Sequence, residues 1–259
     1  MGTLRNTADK KKGQLSRIGP GVISGAANDD PSCIVTYSMA GAALGYATLW
    51  TSLFGLPLLA AVQFMCARLG MVSGRGLAGA LRLHSPKWVL FSMCALLAIA
   101  NIVTLGADLG GMAEVTAMVT GIPAVACTLI YAIAIAALLF YLPFTRIEKI
   151  FKWLCLALFT YLAAGFLARA DWRAALMDTV LPRVQWSKEY LSIIVAIIGA
   201  TMSPYFLFWQ ASQKVEEEYC LGRRTVAQRK GATRQELDDT RVDVFAGAFI
   251  SKLITYFIT

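Results

Sequence analysis

Two acidic residues stand directly before a proline in an apolar stretch near the start of the chain. They are Asp29 and Asp30, followed by Pro31. Proline removes a backbone donor and steers the preceding residue out of the helical region. A carboxylate at the centre of a membrane helix costs about 2.5–3.5 kcal/mol on insertion scales. Irregular backbone at membrane depth must be buried in protein or line a watery cavity. The pattern therefore predicts an unwound cation site with Asp30 as its carboxylate.

A second proline interrupts another apolar stretch, where Ser203 precedes Pro204. Proline-interrupted segments at corresponding positions of two halves are typical of inverted-repeat transporters, which hold their substrate near the midplane. Two ordinary proline kinks are the alternative, because proline is frequent in membrane helices. The acids beside Pro31 favour a functional site.

Three further polar residues fall within apolar stretches. Asn101 and Asp108 are seven residues apart, a spacing that places them on nearly the same face of a helix. We expect Asp108 to face the bundle interior or a cavity, and we expect Asp108, Asn101 and Tyr205 to lie on a candidate ion or proton pathway. Lys252 lies in the last apolar stretch, where pairing with an acid and snorkelling to the interface remain equal alternatives.

The composition shows which elements must position these residues. Of 259 residues, 57% are hydrophobic and 15% are charged, whereas soluble domains have about 25% charged residues. This excludes an ordinary soluble enzyme. A helix that crosses a bilayer needs about 20 apolar residues. Seven candidate spans meet this need approximately, at 18–44, 47–67, 88–119, 122–142, 147–168, 189–214 and 242–259.

The basic residues predict the orientation of these spans. Nineteen of the 24 Lys and Arg residues fall in the N-terminal tail and in the connections that share its side, and four fall on the opposite side. By the positive-inside rule, the N-terminus is cytoplasmic and the protein is a multi-pass protein of the inner or plasma membrane. The same distribution accounts for the net charge of +8, so no nucleic acid partner is expected.

The two ends and the cysteines complete this description. Residues 1–17 are basic but lack an apolar core, so no cleavable signal peptide is expected. The six cysteines have no C-x-x-C spacing, which argues against a disulfide framework or a zinc site. The chain stops at Thr259 inside an apolar run, and we therefore expect a truncated sequence.

These residues resemble the natural resistance-associated macrophage protein (Nramp) family of divalent-metal transporters. The likeness extends over nearly the whole chain and is carried by Gly19-Pro20-Gly21, Asp30-Pro31, Gly41 to Trp50, Ala107-Asp108-Leu109 and Gly199-Ala200-Thr201. The resemblance implies an all-α polytopic membrane protein with a leucine-transporter-like inverted-repeat fold, here the first repeat plus the sixth and part of the seventh helix. The implied divisions are a basic cytoplasmic tail, a first five-helix repeat, an external connection and the start of a second repeat, at 1–17, 18–168, 169–188 and 189–259.

The resemblance also implies a set of metal ligands. It places the ion against the carboxylate of Asp30 and near the backbone carbonyls of Ala27 and Ala200. Two positions depart from the family pattern. Cys33 stands where transition-metal members have asparagine, and Ser203-Pro204-Tyr205 stands where they have Met-Pro-His.

These departures change the expected metal chemistry. Thioether ligands favour softer metals, whereas carboxylate, carbonyl and hydroxyl oxygens favour hard ions. Ser203 therefore indicates a harder ion. Cys33 would favour a softer ion if it were a thiolate ligand, but a thiol buried in a membrane tends to stay protonated and pack as a small apolar group. Both roles of Cys33 remain open.

The third predicted span also differs from the family pattern. Asp108 is kept, but the glutamate of proton-coupled members is replaced by Gly111, and His84, the single histidine, lies in a charged connection. The chain looks like the divergent bacterial Nramp-related branch that includes magnesium transporters. This resemblance implies weakly coupled cation movement rather than tight proton symport.

The function expected from these observations is transmembrane transport of a divalent cation, Mn²⁺ or Mg²⁺ in class, by alternating access. The ion would be the substrate, with no further cofactor. One alternative is a Na⁺-coupled transporter of an organic solute with the same fold, although an acid at the helix break repels anions. Another is a non-functional fragment. An enzyme is not expected, because no H-E-x-x-H or G-x-S-x-G motif is present. The oligomeric state is left open.

Overall fold

The computed structural model describes residues 29–141, 157–168, 170–220 and 222–259. Within these ranges the chain is built from helices joined by short connections. The helices are α1 (Pro31–Leu44), α2 (Trp50–Ser73), α3 (Leu77–His84), α4 (Lys87–Thr120), α5 (Ala124–Tyr141), α6 (Phe159–Leu167), α7 (Trp172–Val180), α8 (Lys188–Thr201), α9 (Pro204–Cys220), α10 (Val226–Arg229) and α11 (Arg234–Ile258). A 3-10 turn at Gly45–Thr48 joins α1 to α2.

Four stretches of the described residues are long and apolar enough to cross a membrane. They are α2, α4, α5 and the run from α8 through α9. Large apolar side chains such as Trp88 and Phe140 lie exposed on α4 and α5, as expected of helices that face lipid. The predicted spans at 18–44 and 147–168 lie partly outside the described residues. The last predicted span, at 242–259, covers the C-terminal part of α11 and Thr259.

The two proline-containing segments form helix boundaries. Asp30 is the N-cap of α1, with extended backbone at φ −73° and ψ 168°, and Pro31 is the first helical residue. At position N1 a proline costs nothing, because the first amides of a helix have no intrahelical acceptor. Farther along the chain, α8 ends at Thr201 and α9 begins at Pro204. Met202 and Ser203 thus separate two helices that would otherwise form one run.

Packing places these two boundaries side by side. Helix α1 packs against α4 and α8, and α2 packs against α9 and α11. Small residues allow the close approaches. A Cβ at Gly70 of α2 would lie 2.4 Å from the carbonyl oxygen of Ala211 in α9. The buried core between α1 and α8 contains Cys33, Tyr37 and Ile197.

An ionic cluster orders the connection between α9 and α11. Arg223 hydrogen-bonds to Glu218 at the end of α9 and to Glu236 in the first turn of α11. Partial burial alone would raise the pKa of Glu236, but hydrogen bonds from Thr233 and Arg223 outweigh this effect and lower the pKa. The backbone amide of Gly231 also donates to the carbonyl of Val72. The connection is therefore tied to the end of α2.

Candidate metal-cation site

Asp30 connects the two helix boundaries. Its Oδ1 accepts hydrogen bonds from the Cys33 amide at 2.8 Å and the Ser32 hydroxyl at 2.7 Å. These bonds cap α1 in the usual manner of an N-terminal aspartate. Its Oδ2 accepts from the hydroxyl of Tyr205 in α9 at 2.6 Å. One oxygen of the carboxylate thus belongs to the α1 boundary, and the other faces the boundary between α8 and α9.

The carbonyl of Ala200 is the polar group that α8 presents at its end. An α-helical carbonyl normally accepts from the amide four residues later, but Pro204 occupies that position and has no amide hydrogen. Two side chains donate to this oxygen instead, the Ser203 hydroxyl at 3.1 Å and the Cys33 thiol at 3.4 Å. The proline therefore leaves an oxygen for other partners within the bundle.

Asp108 joins the group through Ser32. The Ser32 amide donates to Asp108 Oδ1 at 2.8 Å, while its hydroxyl donates to Asp30. Two carboxylates from α1 and α4 therefore share one residue as hydrogen-bond donor. Asn101, predicted on the same face of α4, lies exposed two turns earlier. The structure does not bring Asn101 to the group.

Most residues predicted from the sequence lie together. Asp30, Cys33, Ala200, Ser203 and Tyr205 form one hydrogen-bonded group, with Asp108 next to it, while Pro31 and Pro204 begin the adjoining helices. Ala27 lies outside the described residues. In the described ranges, no three His, Cys, Asp or Glu side chains are arranged to hold a metal ion. An ion here would depend on one carboxylate together with carbonyl, hydroxyl and water oxygens.

A second group of buried polar residues lies on the other side of Asp30. The sequence analysis did not predict that these residues meet. Asp29 is 5% exposed, and its Oδ1 accepts from Ser251 at 3.1 Å and Thr255 at 3.4 Å, both in α11. Lys252, also in α11, donates to the Thr201 hydroxyl at 2.7 Å. The acid pair before Pro31 and the lysine within an apolar run were the signals available in the sequence.

Comparisons with known proteins show which family the chain resembles. Residues 21–259 match the family model described as natural resistance-associated macrophage protein-like. The chain is 34% identical over 197 residues to the divalent metal cation transporter MntH of Burkholderia ambifaria, covering 75% of this chain and 44% of that protein. It is 29% identical over 261 residues to the MntH of Acidiphilium cryptum, covering 97% and 58%.

A solved structure, that of the Eremococcus coleocola manganese transporter, shows the same fold. The TM-score is 0.69 at 22% identity, over 94% of this chain and 49% of that one. This likeness confirms the expected all-α, leucine-transporter-like fold class. The chain spans about half the length of the curated relatives it matches, and those relatives are named as transporters rather than as enzymes. Because the family model matches nearly the whole chain, this membrane protein belongs to the natural resistance-associated macrophage protein-like family.

Proposed function

We propose that this chain provides a binding site for transmembrane transport of a divalent metal cation, Mn²⁺ or Mg²⁺ in class, by alternating access. The proposal depends above all on one observation. The Asp30 carboxylate and the Ala200 carbonyl, from two different helix boundaries, lie in one hydrogen-bonded group. The similar MntH proteins are named for divalent metal cations, and the similar solved structure is a manganese transporter.

The available donor atoms favour a hard ion. Asp30 offers a carboxylate, Ala200 a carbonyl and Ser203 a hydroxyl. Hard cations such as Mg²⁺ and Mn²⁺ prefer oxygen ligands. The Cys33 thiol is buried and donates to the Ala200 carbonyl. This contact supports a packing role for Cys33 in place of metal ligation.

Each of the two prolines takes away the amide partner of one backbone carbonyl oxygen. Pro204 removes the amide partner of the Ala200 carbonyl, and Pro31 stands in the same four-residue relation to Ala27. Carbonyls released in this way are the groups that coordinate cations at broken helices of transporters. We therefore keep Ala27 as a proposed ligand alongside Asp30 and Ala200. Asp108 would attract the ion along its path without binding it directly.

The orientation follows from the positions of the basic residues. The connection after α9 carries Arg223, Arg224, Arg229 and Lys230, whereas fewer basic residues lie between α7 and α8. The positive-inside rule then places the connection after α9 in the cytoplasm, together with the N-terminus, and the protein in the inner or plasma membrane. Rocking of the broken helices against the rest of the bundle would expose the site to each side in turn.

Reconstituted flux tests this proposal. The purified chain in liposomes that contain a Mn²⁺-quenched dye should admit Mn²⁺, and Asp30→Ala should lower the rate at least about tenfold, which corresponds to about 1.4 kcal/mol. Asp171→Ala is the matched control. Asp171 is also a helix N-cap, for α7, but its side chain lies exposed. It should cost about 1 kcal/mol of stability and leave flux unchanged.

Three results would contradict the proposal. One is equal flux in the Asp30→Ala and parent chains. Another is a parent chain that neither binds nor passes Mn²⁺. The third is uptake that requires Na⁺ and is inhibited by amino acids, which would favour an organic-solute transporter of the same fold.

A further inference from the structure

Lys252 is a buried cation next to the proposed metal site. The residue is 3% exposed, although it lies in the apolar part of α11. Its ammonium donates to Thr201 at 2.7 Å and lies 5.7 Å from the centroid of the Tyr37 ring, while its aliphatic part packs beside Gly55 of α2. Thr201 directly follows Ala200. The ammonium is therefore held at the end of α8 and does not snorkel to the interface.

Asp29 is the buried anion that faces this lysine. Ser251 and Thr255 donate to its Oδ1, whereas its Oδ2 is buried without a hydrogen-bond partner among the described residues. Ser251 and Thr255 flank Lys252 in α11, so their bonds to Oδ1 hold the Asp29 carboxylate in the neighbourhood of the Lys252 ammonium. Opposite charges held close together in a buried environment attract each other. A buried charge without compensation is costly. The two charges consequently stabilise each other.

The balance between Asp29 and Lys252 determines the net charge around the proposed cation site. The chain places Asp29, Asp30 and Asp108 around the start of α1. If the positive charge of Lys252 balances the negative charge of Asp29, the negative charges of Asp30 and Asp108 remain. These two charges match a divalent cation. Without the lysine, three negative charges would favour an ion of higher charge. With the lysine but without Asp29, one net negative charge would remain.

We propose that Lys252 is a tethered counter-cation of Asp29 that sets the charge selectivity of the cation site. This inference rests on the proposed function, because it concerns the ion that Asp30 binds. Lys252 acts as a positioning and specificity-determining residue and touches no ligand atom. Its effect is carried by charge, so it should scale with the charge of the bound ion.

Calorimetric titration of the purified chain with Mn²⁺ and with Gd³⁺ tests the inference. Asp29→Asn leaves Lys252 unbalanced and should weaken Mn²⁺ binding about tenfold and Gd³⁺ binding about thirtyfold, because the energy grows with ion charge. Lys252→Met should shift both affinities in the opposite direction, with the larger change again for Gd³⁺. The double variant Asp29→Asn/Lys252→Met should return both affinities to within about threefold of the parent values.

Ser251→Ala provides the control for purely structural damage. It removes a hydrogen bond to Asp29 but no charge, so the Gd³⁺ to Mn²⁺ affinity ratio should not change. Asp29→Asn preserves shape and keeps the Lys252 bond to Thr201, so it tests the inference even if Lys252→Met does not fold. A Gd³⁺ to Mn²⁺ ratio equal to that of the parent in Asp29→Asn would overturn the inference.

The same titrations separate this inference from the proposed function. If the parent chain binds no Mn²⁺, or binds it equally well with Asp30→Ala, the proposed function fails. If the parent binding depends on Asp30 but the affinity ratio does not respond to Asp29→Asn, only the role of Lys252 fails.

Discussion

At the level of single residues, the contact between Tyr205 and Asp30 brings the two helix boundaries together. The hydroxyl of Tyr205 donates to Asp30 Oδ2 at 2.6 Å, a short distance typical of a bond to a charged acceptor. A cation that uses the same oxygen must exchange with this hydroxyl or share the carboxylate with it. The residue that stands at the histidine position of the family pattern therefore competes for the proposed ligand.

Tyr205→Phe tests this competition. Removing the hydroxyl should strengthen Mn²⁺ binding about fivefold to tenfold, because a hydrogen bond to a charged group is worth about 1.5–3 kcal/mol and part of that value is lost when the ion binds. Calorimetric titration with Mn²⁺ measures the change.

Tyr131→Phe is the matched control for this substitution. It removes a tyrosine hydroxyl that hydrogen-bonds to Thr116, in the contact between α4 and α5. Its Mn²⁺ affinity should equal that of the parent. Weaker Mn²⁺ binding by Tyr205→Phe would show that the hydroxyl is itself a ligand and would refute the competition.

At the level of helices, α2 supports the site by holding α9 and α11. Gly70 of α2 meets the backbone of Ala211 in α9, and Gly55 meets the side chain of Lys252 in α11. Close approaches of this kind are common where small residues line membrane-helix interfaces. Because α9 begins at Pro204, its position on α2 also determines where Ser203 and Tyr205 lie.

Gly70→Ala should therefore disturb both packing and binding. The added Cβ would lie 2.4 Å from the Ala211 carbonyl oxygen, so the two helices must separate. Overpacking of this type costs about 1–3 kcal/mol. A lower melting temperature in detergent and a weaker Mn²⁺ affinity are the expected results.

Gly106→Ala in α4 is the control for replacing a helical glycine with alanine. A Cβ at Gly106 meets no atom within 4 Å, and alanine favours a helix over glycine by about 1 kcal/mol. This variant should melt at the parent temperature or slightly above it. If Gly70→Ala behaved in the same way, close packing of α2 on α9 would not support the site.

For the whole molecule, the distribution of charge determines how the bundle sits in the bilayer. The ionic cluster around Arg223, with Glu218 and Glu236, lies at the end of α9 away from the boundary at Pro204. The connection between α7 and α8 carries Trp186, which is 86% exposed. On the proposed orientation these two connections face opposite sides of the membrane.

Cysteine labelling tests this orientation. Trp186→Cys should react with a membrane-impermeant maleimide in intact cells, whereas Ala227→Cys in α10 should react only after permeabilisation. Both positions are exposed, so a difference in labelling reports sidedness. The parent chain, with its six cysteines, supplies the background. The reverse pattern would invert the proposed topology.

The local chemistry of this protein could be predicted from the sequence alone. The apolar runs indicate a membrane protein, and the prolines indicate where the helices begin. A proline acts through its own ring and its missing amide, so its effect on Ala200 or on the start of α1 depends on few neighbours. The carboxylate of Asp30 and the family resemblance follow from the same short motifs.

Only the tertiary structure decided which distant residues meet. Asp30 and Tyr205 are 175 residues apart, and Asp29 and Ser251 are 222 apart. No periodicity within one helix could choose between pairing and snorkelling for Lys252. That choice depends on how α11 packs against α1 and α2 and on the bond from Lys252 to Thr201 at the end of α8, because burial makes an unpaired ammonium costly and a facing carboxylate favourable. The sequence thus predicts the kind of site that we propose, and packing decides which charges surround it.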